Sequence, residues 1–190
     1  MGGLTLCWVL SKEHQQPMNT VLPRIAIAAL VAASAGLGDS GARSVSARLS
    51  GLQETPAVST PASGEFHGKI NSTDSELAYE IEFSGLEGTI TQSHIHFGQK
   101  SVAGGIMIWL CGTATNPGPA GTPVCPQTGK VTGTITAANV IGPAGQGIAA
   151  GEFAEALRAV RKGVAYANVH SSKYPAGEIR GQIDGGGDDH

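Results

Sequence analysis

The sequence predicts an all-β fold, an antiparallel Greek-key β-sandwich or flattened barrel with one short helix. Three observations point there. Runs of alternating apolar and polar residues recur roughly every eight to twelve residues, the spacing of sandwich and barrel strands. Glycine and proline, 28 and 10 of the 190 residues, punctuate those runs. Only one stretch carries a helical period.

The first strand is expected over Val45–Leu49, where apolar and polar residues alternate until Gly51-Leu52-Gln53-Glu54-Thr55-Pro56 breaks the pattern. In that break, Glu54 reads as a turn carboxylate capping backbone amides. A second run covers Gly64–Ile70, and the turn Asn71-Ser72-Thr73-Asp74 leads to a third at Glu76–Phe83. There Leu77, Tyr79, Ile81 and Phe83 share one face while Ala78, Glu80 and Glu82 share the other. Gly85-Leu86-Glu87-Gly88 turns the chain into a fourth strand, Thr89–Phe97. The unbroken apolar run Ile106–Leu110 is short and flanked by glycine, as a buried strand is. Lys130–Thr136 alternates again. The helical segment is Glu152–Lys162, with Phe153, Leu157 and Val160 on one stripe and Gly163 at the position of a C-terminal glycine cap. Such a short helix has to pack its stripe on the sheet to persist. Val164–His170 and Glu178–Ile183 complete the set.

Ahead of the first strand, Met18 opens a segment with one arginine, the apolar run Ile25–Ala33 and the small residues Ala33-Ser34-Ala35. This three-part pattern predicts a signal peptide over residues 1–35, cleaved after Ala35, with the residues before Met18 an over-extended start. The apolar run is shorter than the roughly 20 residues that a bilayer requires, so no membrane span is expected in the mature form. Residues 36–44 read as a flexible lead-in, and 184–190, rich in Gly and Asp, as a disordered tail. The formal charge of −3, with no basic stripe, argues against nucleic acid as a partner. All of this implies a secreted or periplasmic protein.

The cysteines agree with export. Cys7 falls in the expected signal peptide, leaving Cys111 and Cys125 to bracket a loop of Gly, Pro, Thr and Ala that has little with which to pack. A disulfide between them is expected; closing a loop of about 15 residues stabilises by roughly 3 kcal/mol in the chain-entropy model.

The chemistry concentrates in Ser93-His94-Ile95-His96-Phe97-Gly98. On a strand, His94 and His96 project from one face, so two imidazoles can reach one ion. One strand cannot complete a site, and His170, at the end of another strand-like run, is the candidate third ligand. Three neutral imidazoles suit copper or zinc. Glu178 and Arg180 share a strand face and are candidates to support the ligands from behind. Lys173 and Tyr174 are candidate rim residues. His67, alternating away from Phe66 and Ile70, is placed on the solvent side.

Three ordered blocks resemble the signature of the CHRD domain: Leu49-Ser50-Gly51-Leu52-Gln53-Glu54-Thr55-Pro56, His94-Ile95-His96-Phe97-Gly98, and Tyr166 through Ile183 with its Asn168-Val169-His170 core. The resemblance covers residues 45–183. It implies an exported domain of the kind repeated in animal chordins, and with it a second possible role, a non-catalytic module that contacts an extracellular protein partner. A weaker resemblance runs to the copper,zinc superoxide dismutases, whose β-sandwich and His-x-His strand it shares; the corresponding positions are His94, His96, His170 and Arg180. No histidine lies between His96 and His170, so the bridging ligand and zinc cluster of that family have no counterpart here. Whether the site is catalytic is left open by the residues.

Overall fold

The computed structural model describes residues 43–185. Eight strands form there: β1 (Arg43–Ser50), β2 (Ser63–Ile70), β3 (Leu77–Ser84), β4 (Ile90–Phe97), β5 (Gly105–Gly112), β6 (Gly129–Ile135), β7 (Ala165–Ser171) and β8 (Ile179–Gln182), with one helix, α1 (Phe153–Arg161). Each coincides with a run expected from the sequence.

All strand-to-strand ladders are antiparallel, in the order β5-β4-β7-β8-β1-β2-β3-β6. The chain crosses from β3, beside β6, to begin β4 elsewhere in the sheet, and β7 returns to lie beside β4. This is Greek-key connectivity. The end strands β5 and β6 approach each other and nearly close the sheet into a barrel. Two devices bind that seam. The Tyr79 hydroxyl donates to the Leu110 carbonyl of β5 over 2.6 Å, and the Cys111–Cys125 disulfide joins β5 to the segment that feeds β6.

The period-two patterns dictate the inward faces. On β3, Leu77, Ile81 and Phe83 are fully buried, facing Phe66 and Ile70 of β2. The outward partners Glu65, Glu80, Glu82 and Lys130 stay in water, with His67 among them beside Glu65. On α1, Phe153, Ala156, Leu157 and Val160 face the core, as the expected stripe requires. Gly163 takes the left-handed conformation, φ 64°, that ends the helix.

β4 and β7 depart from alternation, and this positions the site. All seven residues of β7 are buried, as are Ser93 through His96 of β4. Ile95, Ala167 and Val169 face the core, while His94, His96 and His170 project outward beneath the loops that cover this part of the sheet. β5 follows β4 with two register shifts, between Ser93 and His94 and between Ile95 and His96, so irregularities bracket both histidines.

Two boundaries differ from expectation. Arg43 and Ser44, read as lead-in, pair with Ile70 and Lys69 in β1, and Asp184, read as tail, bridges to Ser46. In both places a ladder partner fixes residues whose composition alone signals none. The expected signal peptide over 1–35, its start at Met18, the rest of the lead-in and the tail from 186 lie outside the described residues. Among the described residues no helix is long and apolar enough to cross a membrane.

Candidate metal centre

The fold brings the three sequence-selected histidines together. One ring nitrogen from each of His94, His96 and His170 lies within 4.8 Å of the others, and all three residues are buried. Register explains the meeting. β4 pairs with β7 so that His94 faces Asn168 and His170 faces Gln92, which sets His170 diagonally across from His94 on the same face.

Backbone carbonyls orient two of the rings. His96 Nδ1 lies 3.0 Å from the Gly104 carbonyl, and His170 Nδ1 lies 3.0 Å from the Pro175 carbonyl. A carbonyl only accepts, so each Nδ1 carries the proton and each Nε2 keeps its lone pair. His94 Nδ1 is 3.2 Å from His170 Nε2. Since that Nε2 is an acceptor, His94 Nδ1 donates to it as the rings stand, and His94 Nε2 is left bare. The Nε2 atoms of both His94 and His96 are buried without a hydrogen-bond partner. Two orphaned, buried imidazole nitrogens are costly unless something that takes lone pairs occupies the site.

Electrostatics keep the rings neutral. Burial, then the neighbouring His170 and His96 rings, push His94 down to about 2. Burial pushes His96 down to about 4, against the opposing bond to Gly104, with His170 and Arg180 adding to the fall. Burial lowers His170, against its bond to Pro175. Neutral imidazoles are the protonation state that a metal requires.

Aromatic rings wall the trio. Trp109 meets His94 edge-on at 4.3 Å between centroids, and the disulfide loop presses Gly118 so close to Trp109 that a Cβ there would sit 2.7 Å from the indole. Tyr166 stacks on His96 at 4.8 Å with 3° between planes, and its hydroxyl accepts from the Gly104 N–H. The same tyrosine therefore holds His96 by its face and holds the residue that orients His96.

The supporting candidates divide. The Arg180 guanidinium lies 3.6 Å from the centre of the Tyr166 ring, behind His96, and donates to the Val102 carbonyl and the Thr55 hydroxyl. Glu178, fully buried, points its carboxylate away to the Thr60 hydroxyl and the Glu87 amide. Through those bonds it anchors the loop that carries Pro175. Lys173 and Tyr174 both bind Glu87 on that loop's outer edge. His67 sits on the exposed face of β2.

Glu54, read from sequence as a backbone cap, takes a backbone hydrogen bond at Thr55 and also accepts from the Asn168 side-chain amide at 2.6 Å; Asn168 in turn donates to the Ile179 carbonyl. Burial raises the Glu54 carboxyl to about 7, against the opposing effects of Asn168, Arg180 and the Thr55 backbone. Asn168 was signalled only by its place on the His170 strand, and Tyr166 and Gly104 by nothing in the local pattern.

A comparison with protein-family models matches the CHRD domain over residues 45–183. No curated protein and no solved structure gives a significant match.

Proposed function

We propose, from the premise that the chain belongs to the CHRD domain family, that it is an exported CHRD-domain protein that binds one transition-metal ion through His94, His96 and His170. The observation that carries this reading is a cluster of three buried, neutral rings in which His94 Nδ1 faces His170 Nε2 at 3.2 Å and His96 Nε2 has no hydrogen-bond partner. His96 and His170 would bind through Nε2, because their Nδ1 protons are committed to backbone carbonyls. His94 would bind through Nδ1, the nitrogen that faces His170, with its proton moved to Nε2. Ligands about 2.0–2.1 Å from an ion at tetrahedral angles stand about 3.4 Å apart. The 3.2 Å between His94 and His170 already fits that, and His96 has only a small distance to close.

Copper is favoured over zinc, since neutral imidazoles rank copper higher in intrinsic affinity. A bound ion would supply Lewis acidity, or one-electron chemistry if it is copper. The chain's own residues bury the rings, fix two tautomers and wall the site with Trp109 and Tyr166. Export to a secreted or periplasmic location is supported by the Cys111–Cys125 disulfide, which persists in oxidising compartments.

The test is metal analysis of untagged full-length protein. One copper or zinc per chain, lost in a His94→Ala/His96→Ala variant, supports the reading. Absence of metal even after incubation with excess copper and zinc would leave the non-catalytic recognition module as the function.

A further inference from the structure

Beside the histidine cluster, on the far side of Tyr166, lies a separate cavity of about 240 Å³ lined by Leu52, Glu54, Lys100, Ser101, Arg180 and Gln182. Its walls carry groups of opposite charge. Arg180 is buried, 3 % exposed, yet among the described residues no carboxylate lies within ion-pair distance of it; its guanidinium stacks on Tyr166, donates to Thr55 Oγ1, the Val102 carbonyl and, at 3.4 Å, the Gln99 carbonyl, and acts on the Glu54 carboxyl only from a longer distance. A buried guanidinium ordinarily has an anionic partner. Lys100, on the loop that also carries Gln99 and Val102, adds a second cation to the same cavity.

Gln182 closes the wall from behind, with its Nε2 bonded to the carbonyls of Gly98, Gly163 and Ala165. Glu54 contributes carboxyl oxygens to the same wall, with Oε1 held by Asn168. The cavity thus offers cationic donors on one part and acceptors on another, with the exposed side chain of Leu52 at its edge. A plain anion would satisfy the first and face Glu54 unpaired.

We propose that this cavity binds a small organic acid with a hydrogen-bond donor next to its carboxylate, an α-amino acid or an α-hydroxy acid. The carboxylate pairs with Arg180 and Lys100, where a guanidinium gives charge-assisted, directional bonds. The amino or hydroxyl group donates to Glu54. An apolar substituent lies along Leu52. A volume of this size holds several heavy atoms, beyond the roughly 30 Å³ share of one water. The site stands independently of any metal at the histidines, although an occupant would be separated from His96 only by the Tyr166 and Arg180 stack.

The experiment is calorimetric titration of full-length, EDTA-treated protein at pH 7.5 with alanine, leucine, lactate and propionate as separate probes. Saturable binding of alanine and leucine or of lactate, at least tenfold tighter than propionate, is the expected result; which group binds identifies the donor. Lys100→Glu, a surface change, should weaken that binding at least tenfold, and Glu54→Gln should narrow the preference over propionate. Arg180→Lys should weaken it further, with circular dichroism showing that the fold is retained. Absence of saturable binding by all four probes, equal binding of propionate, or binding unchanged in Lys100→Glu would each overturn the proposal. Because metal is removed throughout, none of these outcomes bears on the histidine site.

Discussion

His94 Nδ1 and His170 Nε2 lie 3.2 Å apart although 76 positions separate them in the chain. Two strands and a defined register are needed to bring them together, and once together they share a buried space that neither ring can satisfy alone. The consequences reach protonation, ligand geometry and stability.

The lowered histidines make the metal-free fold sensitive to acid. Between the ordinary histidine value of 6.5 and the folded values of about 4 for His96 and about 2 for His94, the unfolded chain binds more protons than the folded one. Stability is therefore complete above 6.5 and falls as pH drops through that window, by about 2 kcal/mol for each of these rings at pH 5. Glu54 works in the opposite sense: raised from 4.5 to about 7, it favours the folded state as it takes up its proton, and offsets part of the loss. Urea unfolding of EDTA-treated protein at pH 7.5, 6 and 5 should show the decline, and Glu54→Gln should steepen it.

Tyr166→Phe keeps the ring that stacks on His96 but removes the acceptor for the Gly104 N–H. Gly104 is then freer, and with it the carbonyl that sets the His96 tautomer. Groups that orient a ligand commonly shift metal affinity 10–100-fold. A competition titration with a chromophoric chelator should find the variant at least about tenfold weaker than the parent, with the melting temperature lowered only slightly.

Gly177→Ala should be destabilising for two independent reasons. The residue has φ 136°, which side-chain-bearing residues rarely adopt, and a Cβ there would lie 2.7 Å from Glu54 Oε1 and 2.8 Å from Asn168 Nδ2. The expected cost is about 2–3 kcal/mol by denaturant unfolding, concentrated in the contact that joins the Glu54 loop to β7.

Replacing both cysteines with serine should cost about 3 kcal/mol, the loop-closure value for this separation. The same change loosens the loop that presses Gly118 on Trp109. Tryptophan fluorescence of the variant should consequently shift to longer wavelength before global unfolding begins.

The strands, the helix and the disulfide were legible because each leaves a local mark: alternation on β3, the Phe153–Leu157–Val160 stripe on α1, and a paired cysteine around a loop unable to pack. The same-face logic that joined His94 to His96 is also local. His170 is legible as a histidine near the end of a strand-like run, whereas its register against β4 is a long-range property that no single segment encodes. Gly104 and Pro175 orient the rings through backbone carbonyls, and a carbonyl has no sequence signature. Glu54 is legible in part: its backbone bond at Thr55 is local, whereas its side-chain partner, Asn168, comes from 114 positions away.

The most direct test of the three-histidine centre is ¹⁵N NMR of full-length protein labelled at histidine, titrated with zinc. One equivalent should move three imidazoles together, with His96 and His170 bound through Nε2, His94 changing tautomer to bind through Nδ1, and His67 unmoved. Saturation with zinc that leaves the His94, His96 and His170 resonances in place, or that shifts His67 instead, would contradict it.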